Sequence, residues 1–357
     1  MGLSTLSAWL ILMGTWIFAP LPANTLQTPA LNMTQMTQLF QDFMVQYNKS
    51  YRSPKETHHR FKVFVQNFKV SHDLQASELG TAEYGVTQFS DLTEREFEEM
   101  FGIPHPIEAP THNWMAKPLR AHLALSCDWR KFGAITEVKN QGKLCRSCWA
   151  FAAASNIEAL WNIHRRTPRN VSVQELIDCT GGIDSCKGGY VWDAFLTVIN
   201  RSGLSSSRLY PYAEKDQRCQ HYHKRVVTGI EGYEILPRDE RDMAEMVASQ
   251  GPVTALFNMK PLQLYKNGVI RRTTKDCSKD HPDHFALIVG YGQVPRQRGS
   301  PAQRYWIIQN SWGKEWGEKG YFRLHRGDNA CGIAMYAVTA IVKNSETRSE
   351  ERVPCPR

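Results

Sequence analysis

No cysteine occurs in the first 126 residues, although the 357-residue chain holds nine. No run of five or six basic residues appears either, and no basic block is interleaved with aromatics. The formal charge of +8 therefore reads as a solvated surface, and a nucleic-acid partner is excluded. Long apolar runs are equally scarce. Residues 6–21 (LSAWLILMGTWIFAPL) form one, too short for a comfortable membrane span, and no later segment is long enough to cross a bilayer. With Ala19 and Ala23 as cleavage points, residues 1–23 read as a signal peptide; the lack of Lys or Arg before the run keeps a signal anchor as the alternative. Internal repeats, low-complexity tracts and a KDEL-like tail are also missing. Apart from one histidine considered below, the histidines lack metal-ligand spacing, so no metal and no cofactor is expected. What is present is enough apolar residue, 42% against 22% charged, to bury a sizeable core. Sequons at Asn32, Asn48, Asn170 and Asn200 fit passage through the secretory lumen. In that oxidising setting, an odd cysteine count leaves one reactive thiol over.

Residues 24–125 differ from the remainder. Apolar residues at Leu39, Phe40, Phe43, Met44 and Tyr47 fit one face of a helix within 35–51. Glu56, Arg60, Phe64, Asn67, Ser71 and Gln75 recur every three or four positions, so they share one stripe of a second, long helix, with Glu56 one turn from Arg60. An extended stretch is predicted over 84–89, ending at Asp91, and Thr93-x-x-Glu96 reads as a capping box. Four prolines without periodicity make 102–123 a linker. From Ser126 the composition shifts. Residues 149–164 (WAFAAASNIEALWNIH) predict a helix apolar nearly all round, hence buried; others are expected from Val173 and within 188–200. Strands are predicted at 253–257, 284–291, 305–308 and 321–324. The expectation is an α+β fold: a helical half over 126–235, a β-rich half over 236–342 and a tail over 343–357.

Cys148 stands immediately before the buried helix, in QGKLCRSCWAF. Unpaired N–H groups and the macrodipole favour an anion there, so this thiol is expected to be more acidic than a free one. A thiolate nucleophile needs a base and a group to orient it. His284 heads the strand-like run DHFALIVGYG, and Asn310 lies in QNSWG, which supplies a Cys–His–Asn set. Two alternatives remain open. Cys145-x-x-Cys148 could be a redox pair, although no βαβ pattern surrounds it and Trp follows the motif. Cys148 could also be a buried structural thiol.

The three blocks QGKLCRSCWAF, DHFALIVGYG and YWIIQNSWGKEWGEKGYFRL resemble, in order, the active-site blocks of papain-like cysteine proteases. The Glu56–Arg60–Phe64–Asn67 stripe resembles that family's inhibitory pro-region, and Gly85-x-Thr87-x-Phe89-x-Asp91 resembles its second pro-region motif. Gln75 at the last stripe position points to the cathepsin F and W branch. The resemblance implies a two-domain papain-like fold and an endopeptidase made as a zymogen, with residues 24–125 as its inhibitor. It implies Cys148 as nucleophile, His284 as base and acid, and Asn310 as the group orienting the imidazole. Trp312 would cover that contact, and Gln141 would stabilise the oxyanion. A substrate pocket would be lined by Gly188, Gly189, Tyr190, Val191, Leu256, Pro282, Phe285 and Tyr336. Family pairing implies disulfides Cys145–Cys186, Cys179–Cys219 and Cys277–Cys331; with Cys148 as catalyst, Cys127 and Cys355 are left to form a fourth. Expected partners are peptide or protein substrates, the chain's own pro-region and cystatin-type inhibitors, with the protein monomeric. The endoplasmic reticulum or a lysosome or granule is the expected destination.

The match departs in four places. Arg146 replaces the usual Gly between Cys145 and Ser147, and an extra residue separates Gln141 from Cys145. Phe285 stands beside the base where Ala or Gly is usual, and Tyr336 sits at the expected pocket floor. These changes predict a shallow, crowded, apolar pocket and low activity on cathepsin L-type substrates. They also motivate a competing reading, a protease-fold binding protein with little catalysis. An inhibitor acting through a released pro-segment is a third. Acid release of the pro-region is expected through protonation of Asp91 or Glu56.

Overall fold

The computed structural model describes residues 31–104, 115–116, 123–181, 184–220, 226–294, 302–342 and 354–357. The expected signal peptide and most of the 102–123 linker lie outside these residues.

Helix α1 (Met33–Gln46) starts at a reciprocal capping box between Asn32 and Gln35. Helix α2 (Pro54–Ala76) follows, with Ser53 accepting from the Glu56 N–H and proline at its first position, where no N–H is needed. Phe40, Phe43 and Phe64 are buried between the two helices. The predicted stripe on α2 is a polar clamp on the segment that follows. Asn67 Nδ2 donates to the Ser90 and Leu92 carbonyls (2.9 and 2.7 Å). Gln75 donates to the Ala82 carbonyl and accepts from Tyr84 N–H. Arg60 differs from the expectation: its ion pair is with Glu96 (2.8 Å), across the clamp, while Glu56 accepts the Arg52 N–H. The predicted extended stretch is also shorter. Only β1 (Glu83–Tyr84) is a strand, because Thr87, Phe89, Ser90 and Leu92 hydrogen-bond among themselves and turn the chain. Helix α3 (Glu94–Phe101) starts at the predicted Thr93/Glu96 box.

Strand β2 (Cys127–Asp128) leads to α4 (Cys148–Arg165), which is buried over most of its surface. Two of its buried polar residues are satisfied across the core: Asn156 bonds Pro252 O and the Ala340 N–H, and Glu158 bonds Lys139, Thr136 and Val171 N–H. Helices α5 (Val173–Cys179) and α6 (Val191–Asn200) pack on α4 in an apolar cluster. Strands β3 (Leu204–Ser205) and β4 (Val226–Thr228) pair with each other.

The β-rich half contains β5 (Gly232–Ile235), α7 (Glu240–Ser249), β6 (Val253–Phe257), β7 (Tyr265–Asn267), β8 (Val269–Ile270), β9 (His284–Val294), β10 (Gln303–Gln309), β11 (Tyr321–His325) and β12 (Tyr336–Ile341). Eight strands form one sheet in the order β5-β12-β6-β9-β10-β11-β8, with β2 added against β9. Two of them, β2 and β5, come from the stretch read as helical. The whole is α+β. The pro-region leans on the β half: β1 pairs with β7, the Thr87 hydroxyl donates to Gln263 O, and Gln263 donates to Leu92 O. Four disulfides join Cys127 to Cys355, Cys145 to Cys186, Cys179 to Cys219 and Cys277 to Cys331. Among the described residues no helix is long and apolar enough to cross a membrane.

Candidate active site

Cys148 is the first residue of α4 and the free cysteine left by the four disulfides. Ser147 before it makes no side-chain cap, so no side-chain cap competes for the first-turn N–H groups. Against the expectation of an acidic thiol, burial pushes Cys148 up to about 12, with the nearby Asp283 charge adding to the rise. The N–H groups of Phe285, Trp149 and Cys148 face the sulfur and oppose that rise without overcoming it. The helix terminus therefore acts as the sequence implies, but in a site drained of water.

His284 opens β9, one residue before the Phe285 N–H that faces the sulfur. Its Nε2 meets Asn310 Oδ1 at 2.9 Å, and its Nδ1 faces the backbone carbonyl of Phe101 at 3.1 Å. The Ser311 N–H also donates to Asn310 Oδ1 at 2.8 Å, which fixes the amide's orientation and makes Nε2 the donor. A neutral ring then presents a lone pair at Nδ1 to the Phe101 carbonyl. The doubly protonated ring satisfies both acceptors, but complete burial outweighs those contacts and lowers His284 to about 4. At neutral pH the enclosed pair is thus an uncharged thiol and an uncharged imidazole.

Phe101 belongs to the segment that causes this burial. Ile103 N–H donates to the Asp283 carbonyl at 2.7 Å, and a Cβ built on Gly188 would lie 2.5 Å from Pro104. Residues 101–104 therefore run between Gly188 on the helical side and Asp283–His284 on the sheet side. Gly188 is needed twice over, for its φ of +127° and for that approach. Trp312 packs on the His284 ring (4.9 Å) and on Phe89, Phe97 and Phe101 (5.2, 5.4 and 5.2 Å). The pro-region's aromatic cluster rests on the tryptophan that covers the histidine.

Gln141 is held at three points. Its N–H donates to Ser311 O, its Oε1 accepts from the Ser311 hydroxyl at 2.8 Å, and its carbonyl accepts from Tyr212 OH at 2.7 Å. The remaining Nε2 is buried without a partner, an orphan donor. The extra residue in this loop is accommodated away from Gln141: Gly142 takes a φ of +68°, and the Lys143 and Leu144 N–H groups both donate to Glu214. Tyr212 also pairs with the Ser147 hydroxyl (2.8 Å), linking this loop to the start of α4. Strand register sets Leu256 beside both Phe285 and Tyr336. Trp192 stacks on Tyr190 (4.8 Å) and meets the Phe285 and Tyr336 rings, crowding the expected pocket. Val191 and Pro282 are buried nearby, and Gly189 packs against Trp149.

Sequence reasoning missed Ser147, Ser311, Tyr212, Glu214, Trp192 and Asp283. The last is buried, accepts the Met259 N–H and is pushed up to about 7 by that burial. Of these, Ser147, Asp283 and Ser311 adjoin Cys148, His284 and Asn310 in sequence; the others carried no local signal.

Residues 123–341 match the model of the papain family cysteine protease, and residues 40–97 match the cathepsin propeptide inhibitor domain. The chain belongs to the papain family of cysteine proteases. It is 42% identical to cathepsin W of Felis catus over 348 residues, 92% of each chain. It is 38% identical to cathepsin F of Mus musculus, covering 86% of this chain and 65% of that one. A solved digestive procathepsin L2 from Tenebrio molitor superposes with a TM-score of 0.77 at 32% identity, over 86% of this chain and 100% of that chain. These likenesses support a papain-type cysteine endopeptidase made as a zymogen, inhibited by its own pro-region and acting on peptide bonds. They do not support the alternative of a protease-fold binding protein with little catalysis.

Proposed function

We propose that Cys148, His284 and Asn310 carry out peptide-bond hydrolysis once residues 101–104 leave the cleft. In the opened site, Nδ1 of His284 takes the Cys148 proton while Asn310 Oδ1 holds the Nε2–H, keeping the imidazole in the tautomer that can accept. The thiolate adds to the substrate carbonyl. Gln141 Nε2, the orphan donor, and the Cys148 N–H receive the developing oxyanion. Imidazolium then protonates the leaving amine, and water attacks the Cys148 thioester with His284 as base. Trp312 shields the His–Asn contact. The single observation carrying this reading is that Nε2 is bound by Asn310 while Nδ1 is stopped by a pro-segment carbonyl.

The pocket of Tyr190, Val191, Leu256, Pro282, Phe285 and Tyr336, edged by Gly188 and Gly189, favours small apolar side chains. Trp192 and the aromatic rings around it already occupy much of the space. Residues 24–125 are the removable pro-region, and 126–357 are the peptidase. The four sequon asparagines are exposed, which suits glycosylation in the secretory lumen, and the endoplasmic reticulum or a lysosome or granule is the destination. The processed enzyme is a monomer open to cystatin-type inhibitors. An epoxide thiol inhibitor added after pro-region removal tests the site: an adduct on Cys148, lost in His284→Ala, is expected. No adduct on the wild-type protein would overturn the assignment.

A further inference from the structure

A cavity of about 680 Å³, lined by none of the catalytic residues, opens between the start of α7, the ends of β10 and β11, and Leu123. Its acidic residues are engaged. Glu240 accepts from Trp306 Nε1, Gly327 N–H and Asn329 N–H (2.8, 2.9 and 2.6 Å). Asp239 caps α7 through the Arg241 and Asp242 N–H groups. Asp328 lies near Arg271 and His325 (3.9 and 3.6 Å). Arg241, also in the wall, pairs with Glu245 at 3.2 Å.

The other arginines of the wall are not neutralised in this way. Arg326 is only 6% exposed, its Nε has no hydrogen-bond partner, and its guanidinium lies over the Tyr291 and Trp306 rings (4.9 and 5.3 Å). Arg304 reaches alongside it: a Cβ built on Gly327 would sit 3.0 Å from Arg304 Nη2, so glycine at 327, with a φ of +129°, permits that approach. Arg238 lies over the Tyr336 ring (5.6 Å). Among the described residues none of these three has an ion-pair partner. Glu240 attracts the Arg326 charge without forming an ion pair, being held by three other donors, while burial and the Arg304 charge oppose it; a further anion would relieve that opposition. Guanidinium forks match the paired oxygens of sulfate and phosphate groups.

We propose that this cavity is an oxyanion-binding site, in which Arg304 and Arg326 grip a sulfate or phosphate group and Arg238 flanks it. Its wall shares no residue with the catalytic set or the substrate pocket, although Arg238 lies over Tyr336 of that pocket, and it requires no proteolysis. Calorimetric titration of the full-length zymogen with inorganic sulfate and with inorganic phosphate, at ionic strength held constant with chloride, tests it. Saturable binding is expected, weakened about 10-fold or more in Arg304→Gln and unchanged in Arg95→Gln, an exposed residue of α3. Thermal melting of each variant confirms that it is folded. Glucose 6-phosphate distinguishes the source: binding as tight as inorganic phosphate makes the ligand a monoester, and failure to bind makes it the free ion, the site being upheld either way. No saturable heat with the wild type, or equal affinity in Arg304→Gln, overturns the proposal.

Discussion

Replacing Phe97 by Ala should release the protease from its own pro-region while leaving the backbone contact at His284 untouched. The Phe97 ring is buried, 5.2 Å from Phe89, 5.2 Å from Phe101 and 5.4 Å from Trp312, which in turn covers His284. Truncating a buried phenylalanine costs about 3–5 kcal/mol. All of that loss falls on the pro-region and its seat, because Phe97 contacts Trp312 but belongs to no part of the catalytic sheet. At about 1.4 kcal/mol per decade, the fraction of zymogen with an open cleft rises by roughly two to three and a half decades. The rate at which a thiol alkylator modifies Cys148 in the zymogen at neutral pH reads this directly, since the enclosed thiol is both buried and un-ionised. Val45→Ala, on the exposed face of α1, serves as the control and should leave the rate unchanged. A Phe97→Ala zymogen that is alkylated as slowly as wild type refutes the idea that this aromatic cluster holds the cleft shut.

The pH dependence of release follows from three groups whose signs differ. His284, lowered from 6.5 to about 4, withholds stability from the closed state as pH falls across that window, whereas Asp283, raised from 3.8 to about 7, returns it. Burial alone would raise Glu96, but hydrogen bonds from Arg60 and Thr93 outweigh it and hold the carboxyl below its ordinary value of 4.5, so its contribution is complete above that value and lost below it. Cys148 alkylation should therefore accelerate mainly below about pH 4.5, and Asp283→Asn should move the onset upward by leaving His284 unopposed; complete release near pH 6 in the unaltered zymogen contradicts this. In the processed enzyme, Gln141→Ala should lower kcat about 10²–10³-fold, and steady-state kinetics with kcat unchanged would remove Gln141 from the oxyanion site. Phe285→Ala should raise kcat/KM for a substrate with Phe at the main subsite by about 10-fold or more, as expected when pocket volume limits binding; equal or lower values would show that Phe285 does not restrict the pocket.

The residues proposed for the chemistry, and the cap of α3, each stand in a contiguous block with a local physical signature. Cys148 precedes an apolar helix, His284 heads an apolar strand, and Thr93 stands three residues before Glu96. What stayed hidden depends on chain segments meeting from far apart. Helix periodicity offered Arg60 a partner at Glu56, but the actual one, Glu96, lies on another helix, and Glu96 was already marked as a capping residue. Glu214 anchors the lengthened loop from some 70 positions away, and no spacing rule connects them. The extended stretch after Tyr84 shrank because Thr87 and Ser90 hydrogen-bond locally, competing with strand pairing. Most instructive is the thiol: the helix terminus predicts an acidic Cys148, and although residues 24–125 read as an inhibitor, nothing in the sequence marks Phe101–Pro104, at the start of the expected linker, as the segment that buries the sulfur.

The central claim is that Cys148 forms a covalent acyl intermediate with His284 as its base. Rapid-quench mass spectrometry of the processed enzyme with a peptide ester substrate measures it. A transient adduct of the acyl mass on Cys148, absent in Cys148→Ala together with all hydrolysis, is predicted. Hydrolysis that persists in Cys148→Ala, or an acyl group found on any other residue, contradicts the account.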